Sequence, residues 1–311
     1  MIFSGSTGLS GRVVDDVFLY ILAICVFLLA LITFLMVYFV IRYRREKHPR
    51  PAEIEGSTWL EITWTVIPTL IVLSMFYYGL TGFQFLRNTP EGSMVVKVTA
   101  RQWSWLFQYQ NGAKDLELRV PVGRPVKLIL TSEDVIHGFY APAFRIKQDA
   151  VPRMETYLWF QPTQTGAFDV LCSQYCGLEH SRMLTKIIVL PEEDFVKWYE
   201  GRKEEVALKG PPSGSKLHQE KGCFACHSTD GTPRVGPTFK GLFGKTEVVG
   251  KTEVVLTAGK ERTTVADEAF IRKHITEPNV DIVKGYPPVM PKVNLTEEEL
   301  TALVEFIKNL K

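Results

Sequence analysis

Cys172-Ser173-Gln174-Tyr175-Cys176-Gly177-Leu178-Glu179-His180-Ser181-Arg182-Met183 carries the densest cluster of metal-ligating side chains in the chain. Two thiols, an imidazole and a thioether fall on one short loop between two strand-like runs. Together they form a soft donor set, which selects copper over magnesium or calcium. A blue-copper site uses a single cysteine. Two cysteines four apart can instead bridge two copper ions, each completed by one histidine and one weak ligand. The second histidine must come from elsewhere, and His137, in Asp134-Val135-Ile136-His137, is the only other one between residues 91 and 200. The same spacing also suits tetrahedral zinc held by His137, Cys172, Cys176 and His180, a reading that leaves Met183 without a role.

Around this loop the chain reads as short β-rich runs broken by turn residues. Met94–Thr99, Val126–Thr131 and Lys186–Leu190 are strands by composition, and Pro121-Val122-Gly123-Arg124-Pro125 and Gln161–Gly166 punctuate them. The spacing predicts a β-sandwich or Greek-key barrel over residues 91–200, closed by a short helix from Glu192 to Tyr199.

Upstream lie two uncharged apolar runs, Val17–Ile41 and Ile62–Leu86. Each is long enough to cross a hydrocarbon core of roughly 30 Å as a helix. The loop between them carries Arg42, Arg44, Arg45, Lys47 and Arg50, whereas the segment before the first run has Arg12 followed by Asp15 and Asp16. The positive-inside rule puts that loop in the cytoplasm and both chain ends outside it. Residues 1–90 therefore read as a transmembrane helical hairpin. Cys25, inside the first run, reads as a small buried hydrophobe.

Downstream, Glu200–Ser215 reads as a linker, charged at first and ending Gly210-Pro211-Pro212-Ser213-Gly214-Ser215. Residues 216–311 are all-α in pattern. Asp267–His274 is one helix candidate, and Thr296-Glu297-Glu298-Glu299 opens a terminal helix as a capping box. Cys223-Phe224-Ala225-Cys226-His227 is the c-type haem attachment pentad. Its two thiols reach the vinyl groups and His227 ligates the iron. For the sixth ligand the chain then offers Met290, in the rigid Tyr286-Pro287-Pro288-Val289-Met290-Pro291, and His274 in a helix. Met290 is preferred, because His/Met ligation raises the haem potential as a donor to copper requires.

With 36 Lys+Arg against 34 Asp+Glu in 311 residues, no concentrated basic charge points to a nucleic-acid partner. The two external domains are each near neutral, unlike a pair that must find each other by diffusion. A tether of about 16 residues holds such a pair near millimolar effective concentration, where weak docking suffices.

Residues 10–200 closely resemble cytochrome c oxidase subunit II, whose copper loop is Cys-x-Glu/Gln-x-Cys-Gly-x-x-His-x-x-Met. Residues 216–311 resemble class I cytochrome c, with Gly236-Pro237-Thr238-Phe239-Lys240-Gly241 matching the loop whose proline backs the proximal histidine. The resemblance implies a cupredoxin-type barrel with a binuclear mixed-valence CuA centre. Its ligands would be His137, Cys172, the Gln174 carbonyl, Cys176, His180 and Met183. It also implies haem c on Cys223 and Cys226, with iron ligands His227 and Met290. Many members carry glutamate at Gln174, where it also binds magnesium, so the case for magnesium at the subunit border is weak here.

Gln102-Trp103-Ser104-Trp105 resembles the family's aromatic motif, in which Trp103 would take the incoming electron. Trp103, Trp105, Phe107 and Tyr109 also alternate as an ordinary strand face. Glu61 matches the family glutamate at a proton-channel mouth, though a carboxylate at a span boundary can simply be solvated.

The implied role is passage of electrons from haem c through CuA to a haem–copper catalytic subunit I, accompanied by subunit III, for oxygen reduction and proton pumping. An upstream cytochrome or quinol:acceptor oxidoreductase complex would donate, and the setting would be a bacterial inner membrane with the redox domains outside. The competing readings are the matching subunit of a nitric oxide reductase, and a membrane-anchored copper carrier or redox sensor.

Overall fold

The computed structural model describes residues 6–50, 55–207, 213–250 and 262–311. Two long helices open the chain, α1 (Leu9–Arg42) and α2 (Thr58–Arg87). Both extend past the uncharged runs, because their polar ends continue the helix beyond the apolar stretch. The large apolar side chains stand outward, Phe27 at 62% and Phe76 at 64% exposure, as on helices whose neighbours are lipid or another subunit. Cys25 is exposed on α1 and not buried as its apolar setting suggested, since α1 packs against little besides α2. Val13 and Val17 of α1 lie over Gly82 of α2, and Tyr20 Oη lies 2.7 Å from Ser74 Oγ between the helices.

The sandwich follows. Its strands are β1 (Met94–Arg101), β2 (Ser104–Tyr109), β3 (Lys114–Asp115), β4 (Leu118–Pro121), β5 (Val126–Ser132), β6 (His137–Ala141), β7 (Ile146–Ala150), β8 (Thr156–Phe160), β9 (Gly166–Cys172) and β10 (Leu184–Leu190). One sheet has the order β3-β2-β1-β5-β8 and the other β4-β10-β9-β6-β7. Strand β5 shows why these residues make this layer: Val126, Leu128, Leu130 and Ser132 are buried while Lys127, Ile129 and Thr131 turn outward. Trp105, Phe107, Phe139, Phe144 and Phe160 fill the space between sheets, each almost fully buried. Burial of one such ring is worth about 1.5–3 kcal/mol.

Both ends of the hairpin that face the sandwich are fastened to it. Arg145 Nε donates to Asp15 Oδ1 at 2.9 Å, and Phe85 packs on Trp159 with centroids 5.3 Å apart. The basic loop after α1 therefore lies at the far end of the hairpin from the sandwich.

Helix α3 (Glu192–Ala207) continues well past Tyr199, and α4 (Gly214–Glu220) begins inside the expected linker. The segment that reads as charged linker is helical as far as Ala207, and Arg202 on it comes within 3.6 Å of Asp115 of the sandwich. After α4 come β11 (Thr246–Gly250), β12 (Arg262–Val265), α5 (Glu268–Thr276), β13 (Ile282–Val283) and α6 (Glu297–Lys308). The three strands form a small sheet that the all-α reading of this domain omitted. The helices conform to expectation. Asp267 caps α5 by accepting from Phe270 N, and Thr296 with Glu299 forms the capping box of α6. Helices α4 and α6 touch so closely that a Cβ on Gly214 would lie 2.2 Å from the Ala302 carbonyl.

Candidate copper and haem sites

His137 opens β6 and is fully buried, while Cys172 ends β9, and pairing of Phe139 with Cys172 brings the two strand ends together. The loop after Cys172 then folds back over them. Cys172 Sγ and Cys176 Sγ lie 3.7 Å apart, far beyond the roughly 2.05 Å of a disulfide, so both thiols are free to ligate. His137 Nδ1 approaches from the Cys172 side at 4.0 Å, and His180 Nδ1 from the Cys176 side at 3.4 Å. Met183 Sδ, fully buried, is 3.8 Å from Cys176 Sγ, and the Gln174 carbonyl is 3.2 Å from Cys172 Sγ.

All six expected copper donors are thus brought together. The donors of His137, Cys172 and Cys176 lie within 4.8 Å of one another. The set has two ends, each with its own imidazole and its own weak donor, joined by a pair of sulfurs. A single tetrahedral ion wants four donors around one point. Two ions sharing both sulfurs use the whole set, Met183 included. The residues fit a copper pair.

Asp134, not singled out from sequence, completes this site. Its Oδ1 lies 2.8 Å from His137 Nε2, and its Oδ2 accepts from Gln102 N at 2.7 Å. Burial works to raise the Asp134 pKa, but hydrogen bonds from His137 and from Gln102 and Val135 N–H hold it below the usual carboxylate range. Burial works to lower the His137 pKa; its bonds to Asp134 and Cys172 outweigh this and raise it. The carboxylate takes Nε2–H, which leaves Nδ1 turned to the sulfurs. An acid three residues before a ligating histidine was the available signal.

Trp103 precedes β2. Its indole N–H donates to the Cys176 carbonyl at 3.2 Å, and Gln102 Nε2 donates to the same oxygen at 2.8 Å. Trp105, Phe107 and Tyr109 form the buried strand face of the bland alternative, while Trp103, only 5% exposed, instead touches the copper loop. Glu61 lies apart from all of these, exposed on the first turn of α2 beside the basic loop.

In the C-terminal domain Cys223, Phe224 and Ala225 form a single 3-10 turn that presents Cys223 and Cys226 side by side. His227 Nδ1 donates to the Pro237 carbonyl at 2.7 Å, and the ring stacks on Phe239 with centroids 4.5 Å apart. Burial pushes the imidazole down to about 4 and the two thiols up to about 11. Neutral His227 therefore turns a bare Nε2 toward an apolar cavity, which Met290 and His274 also line. Gly236 is needed there, because a Cβ would stand 2.5 Å from the imidazole. His274 Nδ1 donates along its own helix to the Phe270 carbonyl, at 2.8 Å. The chemistry of the cradle fits a covalently attached haem.

A hairpin-held sandwich with a two-thiol soft-metal loop, followed by a c-type cytochrome fold, defines a membrane-bound electron-transfer subunit. Residues 2–81 match the family described as cytochrome c oxidase subunit II, transmembrane domain; residues 110–190 match its periplasmic domain, and residues 213–311 match cytochrome c. Cytochrome c oxidase subunit 2 of Alkalihalophilus pseudofirmus is 31% identical over 94% of this chain and 86% of its own length. The alternative cytochrome c oxidase subunit 2 of Bradyrhizobium diazoefficiens is 31% identical over 63% of this chain and 83% of its own. The solved periplasmic domain of cytochrome oxidase subunit II from Bradyrhizobium japonicum is 32% identical and covers 38% of this chain and 99% of that one, with a TM-score of 0.37. The chain belongs to the cytochrome c oxidase subunit II family and carries a C-terminal cytochrome c domain.

Proposed function

We propose that electrons enter a haem–copper terminal oxidase through this chain, passing from the cytochrome domain to the copper loop and then to the catalytic subunit. One observation carries the reading: the cytochrome face that bears Cys226 and Val289 packs against the core of the copper domain, and Trp103 lines a cleft shared with Phe224 and Arg234 of the cytochrome domain. The relay then needs no diffusional encounter between the two domains.

Bound haem and a bound copper pair would supply one-electron exchange with little change of geometry in either oxidation state. The residues do the rest. Cys172 and Cys176 would bridge the copper ions, His137 and His180 would complete opposite ends, and Met183 and the Gln174 carbonyl would serve as weak ligands. Cys223 and Cys226 would hold the haem, with His227 and Met290 on its iron. Asp134 fixes the His137 ring, Pro237 fixes the His227 ring, and Trp103 links the cytochrome face to the Cys176 backbone.

The basic loop at the far end of the hairpin supports a cytoplasmic position for that loop and an external one for both redox domains. Glu61, beside that loop, would act at the mouth of a proton path completed by the catalytic subunit. Subunit III and an upstream cytochrome or quinol-oxidising complex remain expected partners. Gln174 lacks the charged oxygen that magnesium prefers.

Rapid mixing of the purified oxidase with a reduced soluble cytochrome tests the order. The haem band should change first, the near-infrared copper band second, and oxygen uptake should follow. Reduction of copper ahead of haem would overturn it.

A further inference from the structure

We infer that the cytochrome domain works from two positions: the seated one, from which it discharges to the copper domain, and a released one, in which it is loaded. This rests on the proposed relay and adds a step to it.

The seat is built around Trp103. A Cβ on Gly222, just before the first attachment cysteine, would come within 2.7 Å of Ser104 Oγ and 3.0 Å of Arg101 Cδ. Arg101 and Ser104 flank Gln102-Trp103, so the attachment turn rests directly over that segment. The Arg101 guanidinium, 8% exposed as a residue, is held by Glu133 at 3.0 Å, which keeps the seat rigid. At the rim, Lys114 Nζ donates to Glu220 Oε2 at 3.0 Å.

Seating turns the working edge of each domain toward the other. Cys226, His227 and Met290 line both the internal cavity and a cleft shared with Arg101, Gln102 and Lys114. The cavity therefore opens toward the copper domain at its attachment edge. Trp103 in turn shares a second cleft with Phe224, Pro233 and Arg234 of the cytochrome domain. Electron transfer falls steeply with distance, so a protein donor must cover that same edge to load the domain. Even weak redox encounters need several hundred Å² of surface, and the copper domain already covers this face.

The seat is also built to let go. Its ion pair is partly exposed, 36% for Lys114 and 17% for Glu220, and such pairs hold only weakly. Clefts flank the contact on both sides. On release, one electron passes from a reduced one-electron carrier protein, left oxidised, to the oxidised cytochrome domain. On reseating, the same electron passes to the oxidised copper domain. No bond forms or breaks in either step.

The test locks the seat in the purified oxidase. Lys114→Cys and Glu220→Cys are introduced together and joined by a short bismaleimide, with the unjoined double variant and treated Lys114→Cys as controls. Discharge is followed after flash reduction by a small photoreductant, and loading after mixing with a reduced soluble c-type cytochrome. The joined protein should discharge within about twofold of the unjoined one, while loading slows about tenfold or more, because a locked geometry forbids simultaneous engagement. Undiminished loading in the joined protein overturns the inference. Loss of discharge in the joined protein, with discharge intact in the unjoined one, also overturns it while leaving the relay standing. No haem-to-copper transfer in any of the proteins, wild type included, would instead bring down the relay.

Discussion

The indole N–H of Trp103 donates to the Cys176 carbonyl across 3.2 Å, tying the residue beneath the cytochrome domain to the backbone of the copper loop at one of its two cysteines. Trp103→Phe keeps most of the packing and deletes this bond. A stability loss of about 1 kcal/mol is expected, typical of one hydrogen bond. The near-infrared copper band should stay as in the parent while transfer from haem to copper slows. Flash reduction with optical detection at both bands measures this, and unchanged transfer would remove Trp103 from the route.

Asp134 holds His137 by the nitrogen that faces away from the sulfurs. Asp134→Asn sets an amide against that nitrogen and loosens the ring. Such supporting partners are worth about 10–100-fold in metal affinity, and a weakening of that order is expected in chelator competition. Copper retention equal to the parent would mean that the loop alone orients His137.

Gly236→Ala tests the haem cradle. Its new methyl meets the His227 ring at 2.5 Å, with further ring atoms at 2.8 and 3.0 Å. Crowding of this kind costs about 1–3 kcal/mol, and the imidazole must tilt away from its Pro237 bond. A changed haem spectrum with reduced thermal stability is expected, measured by absorbance melting of the holoprotein.

Much of this was legible in the sequence for identifiable reasons. Metal-ligand spacing is local, so Cys172–Met183 and the Cys223–His227 pentad could be read directly, and each strand seen in advance had clean alternation or a β-branched run. The missed features depend on contacts distant in sequence. Asp134 acquires its role only once β6 brings His137 to Cys172, and nothing in Glu200–Ala207 says that α3 will run on and bring Arg202 to Asp115. Gly222 looks like an ordinary helix-ending glycine, with φ of 77°, until Arg101 and Ser104 are found against it. Strand β11 begins in Gly244–Val249, a hexapeptide that recurs unchanged as Gly250–Val255, and ends on the first residue of the second copy. Residues 251–255 lie outside the described residues.

Acid should loosen the terminal helix in a defined direction. Burial works to raise the Glu299 pKa, but the Thr296 N–H and the Lys221 ammonium prevail and lower it from 4.5. A depressed folded value means that this carboxylate adds stability above pH 4.5, lost as pH falls through the folded value. Glu299→Ala should cost about 1 kcal/mol at neutral pH through the lost capping box, and the gap from the parent should close in acid. A gap that persists unchanged to pH 3 would contradict the assignment. Thermal melts of both proteins across that range measure it.

The two-ended donor set around Cys172 and Cys176 is expected to hold a pair of copper ions. Metal analysis combined with low-temperature electron spin resonance on the purified, copper-replete oxidase measures it most directly. A copper pair per chain sharing one delocalised unpaired electron is the expected result. Zinc, or a lone copper with its electron localised on one nucleus, would contradict it.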